Sequence, residues 1–171
     1  MRYNSRVMAK TPSPSSRRAA RETALRILYM MEVGKTPRDI AQQETVEANK
    51  LDEEAAEFSC LLVDGTLSHQ DDADIAIAQH ATHYPLDRQT IVDRNILRIA
   101  ATEILFDLSG APYGVVANEA VELAKKYSTP EAAKFINGVI GGLIRAQESI
   151  SESEISLTES DTGLVVPLPM E

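Results

Sequence analysis

Three arginines and a tyrosine near the start of the chain are the residues whose types and spacing could bind an anion. The arginines are Arg17, Arg18 and Arg21, and Tyr29 follows two helical turns later. Guanidinium groups near a helix N-terminus can pair bidentately with phosphates, assisted by the helix dipole. Tyr29 can stack on an unpaired base, as in the recognition of single-stranded RNA, or pack in the core. The pattern indicates RNA binding, and a solvated basic arm is the alternative interpretation.

The charge of the chain is distributed unevenly. The 171 residues carry a net charge of −9, which argues against general affinity for nucleic acids. However, residues 1–26 contain seven Lys or Arg and one acidic residue, whereas residues 148–171 contain six acidic residues and no base. A basic end on an acidic body is typical of a focused anion site, although a solvated arm would have the same composition.

The cysteine content and the hydrophobic pattern indicate the cellular compartment in which the protein is expected. Cys60 is the single cysteine of the sequence, so the chain cannot form an internal disulfide, and a reducing cytoplasm is expected. The sequence has no apolar run of about 20 residues, the length that a membrane helix needs. We therefore predict a cytoplasmic protein without a membrane partner.

Motifs for catalysis or metal binding are missing from the sequence. There is no phosphate-binding GxxxxGK loop, no GxGxxG and no HExxH. His80 and His83 could share a helix face, but polar surface residues are the better interpretation. Glu119 and Glu122 are spaced for surface ion pairs rather than for a di-carboxylate site. We expect no catalytic residues, no metal and no cofactor.

Helical periodicity and capping signals predict an all-α protein, a compact bundle of about seven helices with short connections. Ser15 or Ser16 can cap the first helix, and Asp52 can cap the third. Thr129-Pro130 opens the last helix, which we expect to end near Gln147. The remaining predicted segments begin at Pro37, Asp71, Asp87 and Val115. The predicted organisation is a flexible basic arm over 1–15, a helical RNA-binding domain over 16–147 and a disordered acidic tail over 148–171.

Four blocks of sequence resemble one protein family. They are SRRAARETALRILY at 16–29, DRNILRIA at 93–100, NEAVELAKKY at 118–127 and KFINGV at 134–139. In this order and at this spacing, they resemble the NusB family of transcription antitermination factors. The resemblance implies two packed helical sub-bundles and no catalysis. It also implies binding to the boxA element of ribosomal RNA transcripts together with the ribosomal protein NusE, in a complex that helps RNA polymerase read through terminators.

The same resemblance assigns roles to individual residues. The residues expected to contact RNA are Arg17, Arg18, Arg21 and Tyr29, and the surface is extended by Lys134, Phe135 and Asn137. Asp93 and Glu119 are expected at the partner interface. Gly114 stands where the family usually has Lys after Pro-Tyr, which removes one expected phosphate contact.

Two other functions remain open from the sequence. The chain could be a scaffold that forms a homodimer through the helices of 112–143, with the arginines binding an acidic protein. It could also be a detached RNA-binding domain, because the same helical domain resembles the N-terminal domain of some rRNA cytosine methyltransferases. Sequence-dependent, salt-sensitive RNA binding would distinguish the first function from the scaffold.

Overall fold

The computed structural model describes the backbone of residues 14–160 and the side chains of residues 15–152. This range contains seven α-helices, one 3-10 turn and no strand, which confirms the all-α prediction. The elements are α1 (Pro14–Val33), α2 (Arg38–Asn49), α3 (Glu53–Ser68), α4 (Gln70–His80), the 3-10 turn (Leu86–Arg88), α5 (Ile91–Phe106), α6 (Tyr113–Tyr127) and α7 (Pro130–Ser160). None of these helices is long and apolar enough to cross a membrane.

Side-chain caps begin several helices where the sequence predicts them. The Asp52 carboxylate accepts a hydrogen bond from the Ala55 backbone N–H at 2.8 Å, as expected for the start of α3. The Thr129 hydroxyl accepts one from Ala132 N–H at 3.1 Å, and Pro130 is the first residue of α7. In α2, Pro37 takes the cap position, so the helix begins one residue later than predicted.

Helix α5 lies at the centre of the molecule. It packs against α1 and α3 on one side and against α4, α6 and α7 on the other, so it joins two helical sub-bundles. It is buried around most of its circumference, as a central helix must be. The sequence predicts that this helix begins at Asp87, but it begins at Ile91. A 3-10 turn precedes α5, which begins only after Thr90, whose hydroxyl accepts a hydrogen bond from Asp93 N–H at 3.1 Å.

Helix α7 is longer than the sequence predicts. It continues to Ser160, whereas the sequence predicts an end near Gln147. The segment contains neither Pro nor Gly, and nothing in it therefore forces the helix to end. At the other terminus, α1 already begins at Pro14, inside the predicted arm. Residues 1–13 and 161–171 lie outside the described residues, and the predictions for them stay predictions.

The glycines of α7 allow a close contact with α4. The close neighbour of Gly142, the last glycine of the segment 138–142, is a side chain of α4. A Cβ added at Gly142 would lie 2.7 Å from His80 Nδ1, whereas one added at Gly138 would meet open space. His80, predicted to be a surface residue, is therefore half-buried between these helices.

Candidate nucleic-acid interface

The three arginines expected to contact RNA lie in different environments on α1, and Arg18 is the most exposed of them. Its side chain is 56% exposed. Its Nε donates to Glu119 Oε2 at 2.9 Å and its Nη2 donates to Oε1 at 2.6 Å. These hydrogen bonds and the charge of Glu119 raise the pKa of Arg18 above its ordinary value. Arg18 is therefore a permanent cation, fixed on one side by α6 and open to solvent on the other.

The prediction that Arg21 reaches solvent was wrong. Arg21 is 3% exposed, and its Nε and Nη2 donate to the two oxygens of Glu103 on α5 at 2.9 and 2.6 Å. The sequence contains a signal for this burial, because Arg21 falls within the apolar stripe that includes Ala24 and Leu28. Arg21 is therefore part of the framework, and its expected RNA contact is withdrawn.

Arg17 is half-buried on the same side of α1 as Arg21, since both guanidinium groups lie over the Phe58 ring. Its Nη1 donates to the Ser109 carbonyl at 2.9 Å, and its guanidinium lies 5.1 Å from the centroid of the Phe58 ring. It contacts α3 and the loop between α5 and α6, not the face that carries Arg18. A role in RNA binding stays a prediction for Arg17, whose side chain is less exposed to a ligand than that of Arg18.

Tyr29 lies at an apolar groove and is not a core residue. It is 43% exposed, three turns from Arg18 on the same face of α1. The groove has a volume of about 520 Å³. It is lined by Leu25, Arg26, Tyr29, Met30, Glu44, Thr45, Ala48, Val92 and Tyr127. An apolar floor with tyrosines and charged groups at its edge can accept a flat base.

A charge network that the sequence does not reveal joins α1 to the end of α6. Glu22 accepts hydrogen bonds from Lys126 Nζ at 2.8 and 2.9 Å, from Arg26 Nη2 at 2.9 Å and from the Tyr127 hydroxyl. Burial alone would raise the pKa of Glu22, but the hydrogen bonds from Lys126 and Tyr127 outweigh it and lower that pKa. Sequence reasoning missed Arg26, Lys126 and Tyr127, because their common partner lies about a hundred residues away from two of them.

Two of the three residues expected on α7 lie together. Lys134 and Asn137 line a crevice between α6 and α7 of about 460 Å³, with Lys125 beside them. Phe135 lies elsewhere, because it is half-buried and its ring packs edge-on against Tyr84 with 5.5 Å between centroids. At 3.6 residues per turn, the direction of Phe135 on α7 differs from that of Lys134 by about 100° and from that of Asn137 by about 160°.

The two residues expected at a partner interface are both buried within the chain. Asp93 is 4% exposed near the start of α5, and its Oδ1 has no hydrogen-bond partner among the described residues. Glu119 is 8% exposed and is occupied by Arg18. The structure therefore contradicts an exposed position for either side chain. Their role at a partner interface stays a prediction, and it would require that the side chains become accessible.

These features define a helical-bundle protein with a candidate nucleic-acid face on its first and sixth helices. The model of the NusB family matches residues 18–145, and the chain belongs to this family.

Comparison with individual proteins agrees with this assignment. The chain is 43% identical over 126 residues to transcription antitermination protein NusB of Elusimicrobium minutum, covering 73% of this chain and 90% of that protein. It is 44% identical over 128 residues to the same protein of Bacillus subtilis, covering 74% and 93%. It also resembles a chain in a crystal structure of the antitermination factors NusB and NusE in complex with double-stranded RNA. That match has a TM-score of 0.70 and 32% identity, covering 78% of this chain and 99% of the other.

Proposed function

We propose that this chain is a non-enzymatic, RNA-binding transcription antitermination factor of the cytoplasm. It binds boxA-type single-stranded RNA of ribosomal RNA operon transcripts together with NusE. In a complex with RNA polymerase, it promotes read-through of terminators. Membership of the family and the likeness to a NusB chain solved with NusE and RNA support this proposal.

The observation that carries the proposal is the arrangement of one face of α1. Arg18, Arg26 and Tyr29 lie along this face, over the stretch that contacts α6. Arg18 offers a cation to a phosphate, and the groove at Tyr29 offers an apolar surface to a base. Phosphate contacts supply most of the salt-dependent affinity, whereas contacts with unstacked bases supply specificity.

The surface extends onto the neighbouring helices. Lys126 is exposed at the end of α6, and the crevice with Lys134 and Asn137 follows on α7. These residues could continue the path of the RNA beyond the groove. The net charge of −9 does not oppose this proposal, because screening at physiological salt limits the effect of distant charges to about 8 Å.

Fluorescence anisotropy with labelled RNA tests the proposal. The full chain is titrated with a boxA-type single strand, a scrambled strand and a boxA duplex, each with and without NusE. We expect the boxA single strand to bind more tightly than the scrambled strand and NusE to increase this preference. The duplex is included because the related solved complex contains double-stranded RNA. Equal affinity for all three RNAs under both conditions would contradict the proposal.

A further inference from the structure

The guanidinium of Arg18 is bound to the protein through one edge only. A guanidinium has two edges that can each bind an anion bidentately, the Nε–Nη2 edge and the Nη1–Nη2 edge. Glu119 occupies the first, with distances of 2.9 Å from Nε and 2.6 Å from Nη2. Nη1 has no partner among the described residues, and the Arg18 side chain is 56% exposed. The second edge therefore faces solvent.

Glu119 is itself firmly placed. It lies on α6, and its side chain is 11% exposed. The residues that follow it, Ala120 and Leu123, are buried in the core, so α6 cannot shift easily. A free arginine side chain samples many rotamers, and a fixed carboxylate removes most of this freedom before a ligand arrives.

We propose that Glu119 is a positioning residue of the RNA site, which orients the Arg18 guanidinium so that its Nη1–Nη2 edge binds an RNA phosphate. This inference rests on the proposed function. It assigns a favourable role to an acidic residue on an RNA-binding face, where charge alone would make it unfavourable. Arg18 is the phosphate contact, and Glu119 acts only through Arg18.

The two effects of Glu119 have opposite signs, which makes them separable. Its negative charge repels RNA, so its removal should tighten binding if repulsion dominates. Its hydrogen bonds hold Arg18 in place, so its removal should weaken binding if positioning dominates. Positioning requires Arg18, whereas repulsion does not. The loss of affinity caused by removing Glu119 must therefore disappear or reverse when Arg18 is absent.

A double-mutant cycle on the full chain measures this change. Affinity for the boxA single strand is measured for the unsubstituted chain, Glu119→Gln, Arg18→Ala and the double variant. Glu119→Gln keeps the size of the side chain but can accept only part of the hydrogen bonds. We expect it to weaken binding about fivefold when Arg18 is present, a coupling within the range found for contacting residues. In the Arg18→Ala background, we expect the same substitution to leave affinity unchanged or slightly higher.

Glu122→Gln is the matched control. Glu122 lies on the same helix and pairs with Lys125 at 2.7 Å, but it makes no hydrogen bond with Arg18. Its substitution should raise RNA affinity slightly, because a repelling charge is lost. The dependence of affinity on salt gives a second readout. Loss of one phosphate contact should lower the slope by about 0.7 for a single strand, in Arg18→Ala and in Glu119→Gln alike.

The possible outcomes distinguish this inference from the proposed function. If the unsubstituted chain shows no preference for boxA RNA, the proposed function fails. If it binds boxA RNA but Glu119→Gln tightens binding, or has the same effect in both backgrounds, positioning by Glu119 is wrong. Melting temperatures of all four proteins are compared, and affinities are measured well below the lowest of them, so that a loss of folding is not counted as a loss of binding.

Discussion

Two ion pairs of α1 have nearly the same geometry but different environments. Arg18 and Arg21 both present Nε and Nη2 to a glutamate, and the shorter distance is 2.6 Å in each pair. In the pair of Arg18 with Glu119, the side chains are 56% and 11% exposed, whereas those of Arg21 and Glu103 are 4% and 1% exposed. The second edge of Arg18 is open to a ligand, and that of Arg21 is enclosed. The same kind of ion pair therefore holds Arg18 open to a ligand and, one turn later, holds Arg21 inside the helical framework.

The largest effect is expected from breaking the buried pair. Arg21→Ala leaves the Glu103 carboxylate without its partner, which should lower the free energy of unfolding by about 3–5 kcal/mol. Urea denaturation measures this loss. The double variant Arg21→Met, Glu103→Leu is the control, because it removes both charges and should recover most of the stability. A loss below about 1 kcal/mol for Arg21→Ala would mean that the pair does not hold the framework.

The next effect concerns the apolar groove at Tyr29, the proposed site for an unstacked base. Tyr29→Ala should weaken binding of the boxA single strand by about 1–3 kcal/mol, the usual contribution of one stacked base. Tyr29→Phe keeps the ring and should bind nearly normally. Anisotropy titrations of both variants test this prediction, and equal losses for Ala and Phe would show that the hydroxyl, rather than the ring, makes the contact.

Breaking the half-exposed pair of Arg18 with Glu119 should weaken RNA binding and should cost less stability than breaking the buried pair. We expect Arg18→Ala to weaken RNA binding about tenfold, the effect of losing one charge-assisted contact. The free energy of unfolding should fall by about 1–2 kcal/mol, because Glu119, with a side chain only 11% exposed, loses its partner while Arg18 itself is largely hydrated. Arg38→Ala removes a similar pair with Asp64 at 2.6 Å, away from this face, and should leave RNA binding unchanged. A large loss of stability in Arg18→Ala would place Arg18 in the framework beside Arg21.

A smaller gain is expected from restoring a cation at the start of α6. A side chain added at Gly114 would meet open space, so Gly114→Lys can be accommodated without strain. The variant should bind RNA about two- to fivefold more tightly, with a steeper dependence on salt. Its stability should hardly change, since the gain in helix propensity is offset by a positive charge near a helix N-terminus. Gly114→Gln is the uncharged control, and the same gain with Gln would rule out a phosphate contact.

The smallest effect is on the pH dependence of stability. The pKa of Glu22 is lowered in the folded chain by its donors, chiefly Lys126 and Tyr127, against the effect of burial. Its stabilising contribution is therefore complete above the unfolded pKa of about 4.3 and is lost as the pH falls through the lower folded pKa. Urea midpoints of the unsubstituted chain and Glu22→Gln should differ at pH 7 and converge below about pH 4. A difference that does not depend on pH would contradict this assignment.

Local patterns predicted the helices well. The caps at Asp52 and Thr129 and the apolar stripe of α1 depend on residues close in sequence, and the structure confirms them. The break before α5 and the extension of α7 to Ser160 were not predicted. The start of α5 depends on one capping residue, Thr90, and boundaries of this kind are hard to predict from sequence. The extension of α7 crosses a polar segment that contains no residue that ends a helix.

The candidate site was predicted only in part, because its geometry depends on distant partners. Arg18 is exposed, and Tyr29, which the sequence allowed either at the surface or in the core, is exposed as well. The burial of Arg21 depends on Glu103, which lies 82 residues away in sequence. The role of Glu22 depends on Lys126, 104 residues away. Helical periodicity does not encode such pairs, although the position of Arg21 within the apolar stripe was a sign that it turns inward.

The residues that form ion pairs with α1 lie far from it in sequence, and this distance has a consequence for synthesis on the ribosome. The ion pairs of Arg18, Arg21 and Glu22 with other helices connect α1 to residues 119, 103 and 126, so each of them forms only after α5 or α6 has left the exit tunnel. At about 5–20 residues per second, the first helix waits several seconds for these partners. Throughout that interval Arg18 and Arg21 lack the carboxylates of Glu119 and Glu103 that hold them in the folded chain. The RNA-binding face is thus assembled late, although its first residues are among the earliest to be made.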